Sequence, residues 1–435
     1  MPNQIDKSQG RRDFIRTTSI VGGAVTLGTL HASTAESAGS TSPNEKIVVG
    51  VMGLQRGRSL VGSFANQPNV EVAYLCDVDS TRLASCAKKH EQDSGKPAKT
   101  VDDFRRILDD KDVDVLVCAA PNHWHAPATI LGCDSQKHVY VEKPCSHNPN
   151  EGELMVQAAR KHKRCVQMGT QRRSSDAWIK AISLLREGVI GRPYLARAWY
   201  NSSRGSIGTD KFIEPPKYLN YELWQGPAPR KPYSPSVVHY NWHWRWHWGN
   251  GELGNNGVHT LDLCRWGLNV DYPSVVASEG GRYAFDDAQE TPDTHTVNYS
   301  FGEQSISWMG LSCNRHSGGF VTFYGTEGAM EVEANGSTKI YDRSDKLAAE
   351  HAGSGDPQSN HVGNFIEAIR NDSPSRLNSE IEIGHKSTLL CHLGNIAYRT
   401  GRSLECDTSN GRIQSDADAM QLWKREYEPG WEPSV

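Results

Sequence analysis

The stretch 46–60, KIVVGVMGLQRGRSL, decides the fold of the first half of the chain. Its Val/Ile run reads as a buried strand, Gly53 ends that strand, and a helical pattern follows to about Ala65. VEVAYLCDVD (70–79), VDVLVCAAP (113–121), HVYVEKP (138–144) and CVQMGT (165–170) supply further strands. HAPATILGCDSQ (125–136) and NEGELMVQAARKHK (150–163) read as helices between them. Strands alternating with helices at this spacing predict a doubly wound parallel sheet, the Rossmann arrangement, over residues 46–168.

The texture then changes. YLARAWYNSS (194–203), DTHTVNYSF (293–301), QSISWMGLSC (304–313), GGFVTFYG (318–325) and GAMEVEA (328–334) are β-rich runs joined by short glycine-containing turns. They predict an α+β domain over 169–407, built on a large, mostly antiparallel open sheet with helices on one face. Two helical patterns, 360–373 and 384–401, lie near its end, the second closed by Gly401. Residues 408–435 remain as a carboxy-terminal tail.

Composition narrows the function classes. The 435 residues are 37% hydrophobic and 23% charged, with a net charge of -4, a mean hydropathy of -0.60 and a pI near 6.5. Such a balance describes a soluble globular chain and offers no basic surface for nucleic acid or anionic membrane. Ten cysteines lie scattered without a CxxC pair, which argues against a zinc ribbon or dithiol motif. At the amino terminus, Arg11 and Arg12 precede Phe14, the mildly apolar TSIVGGAVTLGTL follows, and small residues lead to cleavage sites after Ala35 or Ala38. This pattern resembles a twin-arginine export signal over residues 1–38, with 39–45 as a linker, and implies the twin-arginine export machinery as a partner and a periplasmic address.

Three sites along the chain carry chemistry. A dinucleotide loop needs glycine where backbone meets pyrophosphate and where helix packs on strand. Gly53 fits the first position, Gln55 and Arg58 occupy the other two of a strict G-x-G-x-x-G, and Gly57 is expected to restore part of the loop's flexibility. Asp77 ends the second strand where a carboxylate accepts hydrogen bonds from an adenosine ribose, and its charge favours NAD over NADP. Asp79 competes with it as a simple cap of the next helix. AAPNHWHAP (119–127) and VYVEKPCS (139–146) then place Pro121, Asn122, His125, Glu142 and Lys143 at strand ends, where ligands of doubly wound sheets bind.

The third site is NWHWRWHWGNGELGNNGVHTLD (241–262). Period-2 tryptophans predict a strand or extended loop with Trp242, Trp244, Trp246 and Trp248 on one side, part core and part sugar-stacking surface, followed by a Gly/Asn-rich turn. On a strand His243 and His247 stand about 13 Å apart, and on a helix Trp244 replaces the glutamate of HExxH, so no metal is expected. No G-x-S-x-G nucleophile motif is present.

In this order GVMG…D, AAPNHWH, VEKP, QMGTQRR, GVIGRP and GNGELGNNGVHTLDL resemble the glucose-fructose oxidoreductase and inositol dehydrogenase family of NAD(P)-dependent sugar and polyol oxidoreductases, over about residues 46–400. The resemblance implies that Lys143 contacts the cofactor ribose and the substrate hydroxyl, that His259 is the general acid/base, and that the protein forms a homo-oligomer. Asn255 stands where the family has an aspartate four residues before the histidine. An amide orients a substrate or ring but does not stabilise an imidazolium, and Asp262, on the same helical face as His259, is expected to compensate. Arg172, His243 and Trp246, with Asn255 and His259, are the expected substrate contacts.

The expected activity is hydride transfer at a secondary alcohol of a sugar, polyol or glycoside, with NAD, or NADP in its place, held tightly because a periplasm has little free nucleotide to exchange. Two alternatives stand beside it. One is a redox-neutral glycoside-cleaving enzyme, in which transient oxidation at C3 acidifies the neighbouring C–H and permits elimination. The other is a non-catalytic sugar-binding protein, suggested by Gln55, Arg58 and Asn255 together.

Overall fold

The computed structural model describes residues 46–353 and 355–435; the expected signal and linker lie outside them. The first sheet holds β1 (Ile47–Met52), β2 (Val70–Cys76), β3 (Lys99–Val101), β4 (Val115–Cys118), β5 (His138–Val141) and β6 (Val166–Met168) in the order β3-β2-β1-β4-β5-β6. Every pairing is parallel. The strand order reverses between β1 and β4, and a doubly wound sheet opens a ligand crevice at the carboxyl ends of strands at such a point. All four residues of β4 are buried, as a parallel strand covered on both faces requires.

The second sheet holds β7 (Pro193–Ser203), β8 (Val275–Gly281), β9 (Thr294–Ser300), β10 (Ser305–Leu311), β11 (Cys313–Asn314), β12 (Val321–Gly325), β13 (Gly328–Val332), β14 (Thr338–Asp342), β15 (Leu347–His351) and β16 (Leu404–Glu405). Its order is β15-β14-β13-β12-β7-β10-β9-β8-β16, with β11 paired to β7. All pairings are antiparallel except β7 with β10. Strand β10 alternates buried and half-buried residues, so Ile306, Trp308 and Gly310 face the core. Helices Val258–Leu268 and Ile381–Thr400 cover that face, and Gly401 closes the second in the left-handed conformation.

Two segments reach across the expected boundaries. The helix Pro357–Arg370 lies in sequence within the second domain, yet its Val362, Phe365 and Ile366 join the core formed by β1, Phe64 and Tyr140. The tail is docked rather than free: Trp423 is buried, and its carbonyl accepts the Asn150 N–H at 3.1 Å. Hydrophobic periodicity locates such helices but carries no information on which sheet they cover.

The tryptophan run departs from the expected strand. Asn241–Trp244 is a 3-10 turn and the residues after it are irregular, so the tryptophans do not share one side. Trp242 and Trp248 sit in a small core with Leu219, Tyr221, Trp224 and Tyr233, while Trp244 is buried under the Arg204 guanidinium at 4.5 Å. The glycine/asparagine segment is no turn either. Leu253–Gly257 is π-helical and runs straight into helix Val258–Leu268, its Gly257 allowing Leu253 and Trp308 to approach to 3.0 Å of where a Cβ would stand. Close packing, not chain reversal, requires these small residues.

Candidate active site

The groove at the β1/β4 switch point is a cavity of about 370 Å³ lined by Gly53, Asp77, Asn122, Lys143, Trp224 and His243 among others. Gly53 has φ +85°, and a Cβ there would meet the Ala119 carbonyl at 2.6 Å, so the position excludes any other residue without backbone movement. Gly57 has a different role from the flexibility expected of it. It is the first residue of helix Gly57–Ala65, and its Cβ would stand 3.1 Å from Val51, so it lets the helix lie close to β1. That helix start has no side-chain cap and no acid in its first turn, leaving its positive end for phosphate.

Asp77 and Asp79 separate cleanly. Asp79 caps helix Ser80–Ser94, accepting from Thr81 and Arg82 N–H. Asp77 instead faces the groove and accepts the Leu54 N–H at 2.7 Å and the Asp79 N–H at 2.9 Å. Burial raises its carboxyl above the usual range, and these two backbone donors oppose that rise. The glycine loop, its flanking helix terminus and Asp77 together fit a dinucleotide.

Pro121 precedes helix Asn122–Asp134, and Asn122 donates to Asn250 Oδ1 at 2.9 Å. His125 lines the groove with both ring nitrogens engaged, by the Pro144 carbonyl at 2.6 Å and the Ala120 carbonyl at 2.7 Å. It therefore fixes the Lys143–Pro144 loop and has no nitrogen left for a ligand. Glu142 is buried and pairs with Arg56 at 2.8 Å across the groove. Arg56 lies at an unconstrained position of the glycine pattern, and no sequence signal marked it.

Lys143 Nζ donates to the Asn255 carbonyl at 2.7 Å and to its Oδ1 at 3.1 Å. Burial lowers the lysine below its ordinary value of 10.5, and nearby Glu142 and Glu252 pull in the other direction. His259 is half-buried with no hydrogen-bond partner at Nδ1. Desolvation, then the charges of Arg172, Lys143 and Arg56, hold its imidazole well below 6.5 and hence neutral. Lys143, Asn255, His259 and Arg172 are thus brought together. His243 joins the groove wall, its Nδ1 held at 2.5 Å by the Tyr240 carbonyl and its ring stacked on Trp242.

Two expectations are corrected. Trp246 lies away from this site, in a second cavity with Arg399 over its ring at 5.2 Å. Asp262 does not support His259: it is fully engaged by Arg173 Nε at 2.8 and 2.9 Å and by Ser387 at 2.6 Å. Besides Glu142, a second buried acid near the lysine is Glu252, one turn before Asn255, paired with Arg204 at 2.8 Å and hydrogen-bonded to Asn256.

Residues 204–248 form a strap over the groove. Its Leu219 bridges Asp79, with Ser80 N–H on the Tyr218 carbonyl and Asn220 N–H on the Val78 carbonyl, both at 2.9 Å. His239 Nε2 reaches Asp79 at 3.0 Å, and the Trp224 carbonyl accepts from Trp124 at 3.0 Å. Irregular backbone of this kind gives no periodic signal in sequence.

The strand-end lysine of the Rossmann domain thus lies within electrostatic reach of a histidine on a helix of the second α/β domain. Residues 47–170 match the NAD-binding Rossmann fold of the Gfo/Idh/MocA oxidoreductase family and residues 199–432 its C-terminal alpha/beta domain, and the chain belongs to that family. It is 28% identical over 229 residues to inositol 2-dehydrogenase of Salmonella paratyphi B, covering 52% of this chain and 54% of that one. It is 29% identical over 214 residues to glycosyl hydrolase family 109 protein 1 of Shewanella sp. strain ANA-3, covering 44% and 45%. The chain thus spans about half the length of these curated relatives. In fold it is similar to aldose-aldose oxidoreductase from Caulobacter crescentus, with a TM-score of 0.65 at 20% identity over 83% of this chain and 99% of that one.

Proposed function

We propose that this protein oxidises or reduces a secondary alcohol of a sugar, polyol or glycoside, with NAD retained in the groove. The observation that carries the reading is the juxtaposition of the Lys143 ammonium, anchored on Asn255, with a neutral, half-buried His259 beside the dinucleotide groove. Bound NAD would supply the hydride acceptor or donor. Lys143 donates a hydrogen bond to the reacting oxygen and fixes its position; His259, uncharged at neutral pH, accepts the hydroxyl proton. Arg172 and His243 bind the remaining hydroxyls. The strap's backbone bonds to Val78–Ser80 support slow release of the nucleotide. A twin-arginine signal at residues 1–38 adds export of the folded, loaded protein, tested by localising the Arg11→Lys/Arg12→Lys variant.

The decisive experiment is native mass spectrometry of the purified protein, followed by denaturation and identification of released nucleotide. Near-stoichiometric NAD or NADH supports the reading. A protein that is empty and takes up neither NAD nor NADP favours the sugar-binding alternative.

A second reading has its own support. Similarity to a family 109 glycosyl hydrolase and the strapped groove favour a redox-neutral cleavage of glycosides. Incubation of the loaded protein with a chromogenic glycoside separates the two: aglycone release with no added oxidant supports cleavage, a keto-sugar product supports net oxidation.

A further inference from the structure

The segment 241–248 divides two cavities. Trp242 and His243 line the dinucleotide groove, whereas Trp246 and His247 line a second cavity of about 660 Å³. A polar wall stands between them. Asn122, on the groove side, donates to Asn250 Oδ1, Asn250 Nδ2 donates to the His147 carbonyl, and Asn395 Nδ2 donates to the Asn250 carbonyl, each at 2.9 Å.

The second cavity has its own chemistry. Trp246 is half-buried and offers an aromatic surface, beside planar amides and imidazoles suited to hydroxyl groups. Lys231, Arg399 and Lys424 line it, and none of the three forms an ion pair among the described residues. Arg399 rests on the Trp246 ring at 5.2 Å and Lys231 on the Trp248 ring at 6.0 Å. Two carboxylates line it: Glu290 is already engaged, by the Trp246 N–H at 2.8 Å and by Arg245 at 3.7 Å, and Glu426 is exposed and forms no ion pair among the described residues. In the wall, Arg425 is neutralised by Glu151 at 2.8 Å, while Asn148 Nδ2 and Arg425 Nη1 are buried without partners.

An aromatic platform among hydroxyl-binding side chains suits a sugar ring, and three unpaired cations, outnumbering the one unpaired carboxylate Glu426, suit a fixed negative charge on it. We propose that this cavity is a second binding site, for an acidic sugar: a ring bearing a carboxylate or a phosphate ester. The site lies outside the hydride-transfer centre and does not depend on the activity assigned to it.

The test is calorimetric titration of the full chain, with saturating NAD present, using glucuronate, glucose 6-phosphate and glucose. At least one charged sugar should bind about tenfold tighter than glucose, and Arg399→Gln should erase that advantage. Glucuronate alone assigns a carboxylate ligand; glucose 6-phosphate alone assigns a phosphate. Arg399 is exposed, so its variant tests binding without disturbing the core. Trp246→Ala should weaken charged and neutral sugars alike, and Lys143→Met should leave charged-sugar binding intact. Equal affinity for glucose, an unchanged preference in Arg399→Gln, or loss of charged-sugar binding in Lys143→Met would overturn the proposal.

Discussion

The Lys143 ammonium is held by both oxygens of Asn255, 2.7 Å from the carbonyl and 3.1 Å from Oδ1. The contact joins the strand-end loop of the first sheet to the π-helical turn that leads into helix Val258–Leu268. A neutral amide fixes the lysine without neutralising it, and burial lowers its proton affinity. Asn255→Asp should reverse this, because a carboxylate at that distance favours the ammonium. The alkaline limb of the kcat profile, expected below 10.5 in the native protein, should move up in Asn255→Asp. Lys143→Met should lower kcat by about 10²–10⁴-fold while NAD still binds. An unchanged kcat in Lys143→Met would remove the lysine from the mechanism.

His259 sets the acid side. Its imidazole is held well below 6.5, so the base form persists through neutrality and is lost only as pH falls through that depressed value. The rate should stay level from pH 8 through 6.5 and decline only well below that pH. His259→Gln should bind nucleotide normally and lose turnover. An acid limb at or above 6.5 would contradict the assignment.

The same reasoning extends to stability. Burial holds His361 and His385 at about 4 and His295 and His392 at about 3. In the unfolded chain these imidazoles take up protons near 6.5, whereas the folded protein refuses them. Between pH 6.5 and about 4 the unfolded state therefore binds more protons, and stability falls as pH falls. Tm should be nearly flat from pH 8 to 7 and drop between 6.5 and 5, before most carboxylates titrate. A Tm that stays constant down to pH 5 would refute this.

How much of this was legible in the sequence depended on how local each cause is. The β1 run, Gly53 and Asp77 were readable because strand burial, a positive φ and a strand-end carboxylate act within one βαβ unit. Motifs mark Lys143 and His259, but the electrostatic reach of one on the other depends on two domains folding together. Helical spacing alone points Asp262 toward His259, whereas the structure gives it to Arg173, distant in sequence. The tryptophan run has the period of a strand yet turns irregularly, since its aromatic rings fill three different sites. The strap and Arg56 have no periodicity or motif that would mark them.

Asp77 makes a prediction about nucleotide choice. Its carboxylate faces the groove, where it would accept from a ribose hydroxyl and repel a 2'-phosphate. Asp77→Ser should weaken NAD by about tenfold and narrow the preference for NAD over NADP. Because Asp77 also holds the Leu54 N–H, a loss confined to loop structure would weaken both nucleotides equally. Titration of the variant with each nucleotide distinguishes the two outcomes.

Behind His259, Arg173 and Asp262 form a buried pair at 2.8 Å, with Ser387 Oγ on the same carboxylate at 2.6 Å. Removing one partner strands the other charge away from water, which costs about 3–5 kcal/mol. Asp262→Asn should therefore lower denaturant stability by that order. Asp262→Leu combined with Arg173→Met, which removes both charges, should recover much of the loss. The pair also carries helix Val258–Leu268, and with it His259, against the turn Gln171–Ser174 that presents Arg172. In Asp262→Asn, kcat should fall more than nucleotide affinity, because the base moves while the groove does not. Equal stability in Asp262→Asn and the native chain would show that the pair is solvated in solution.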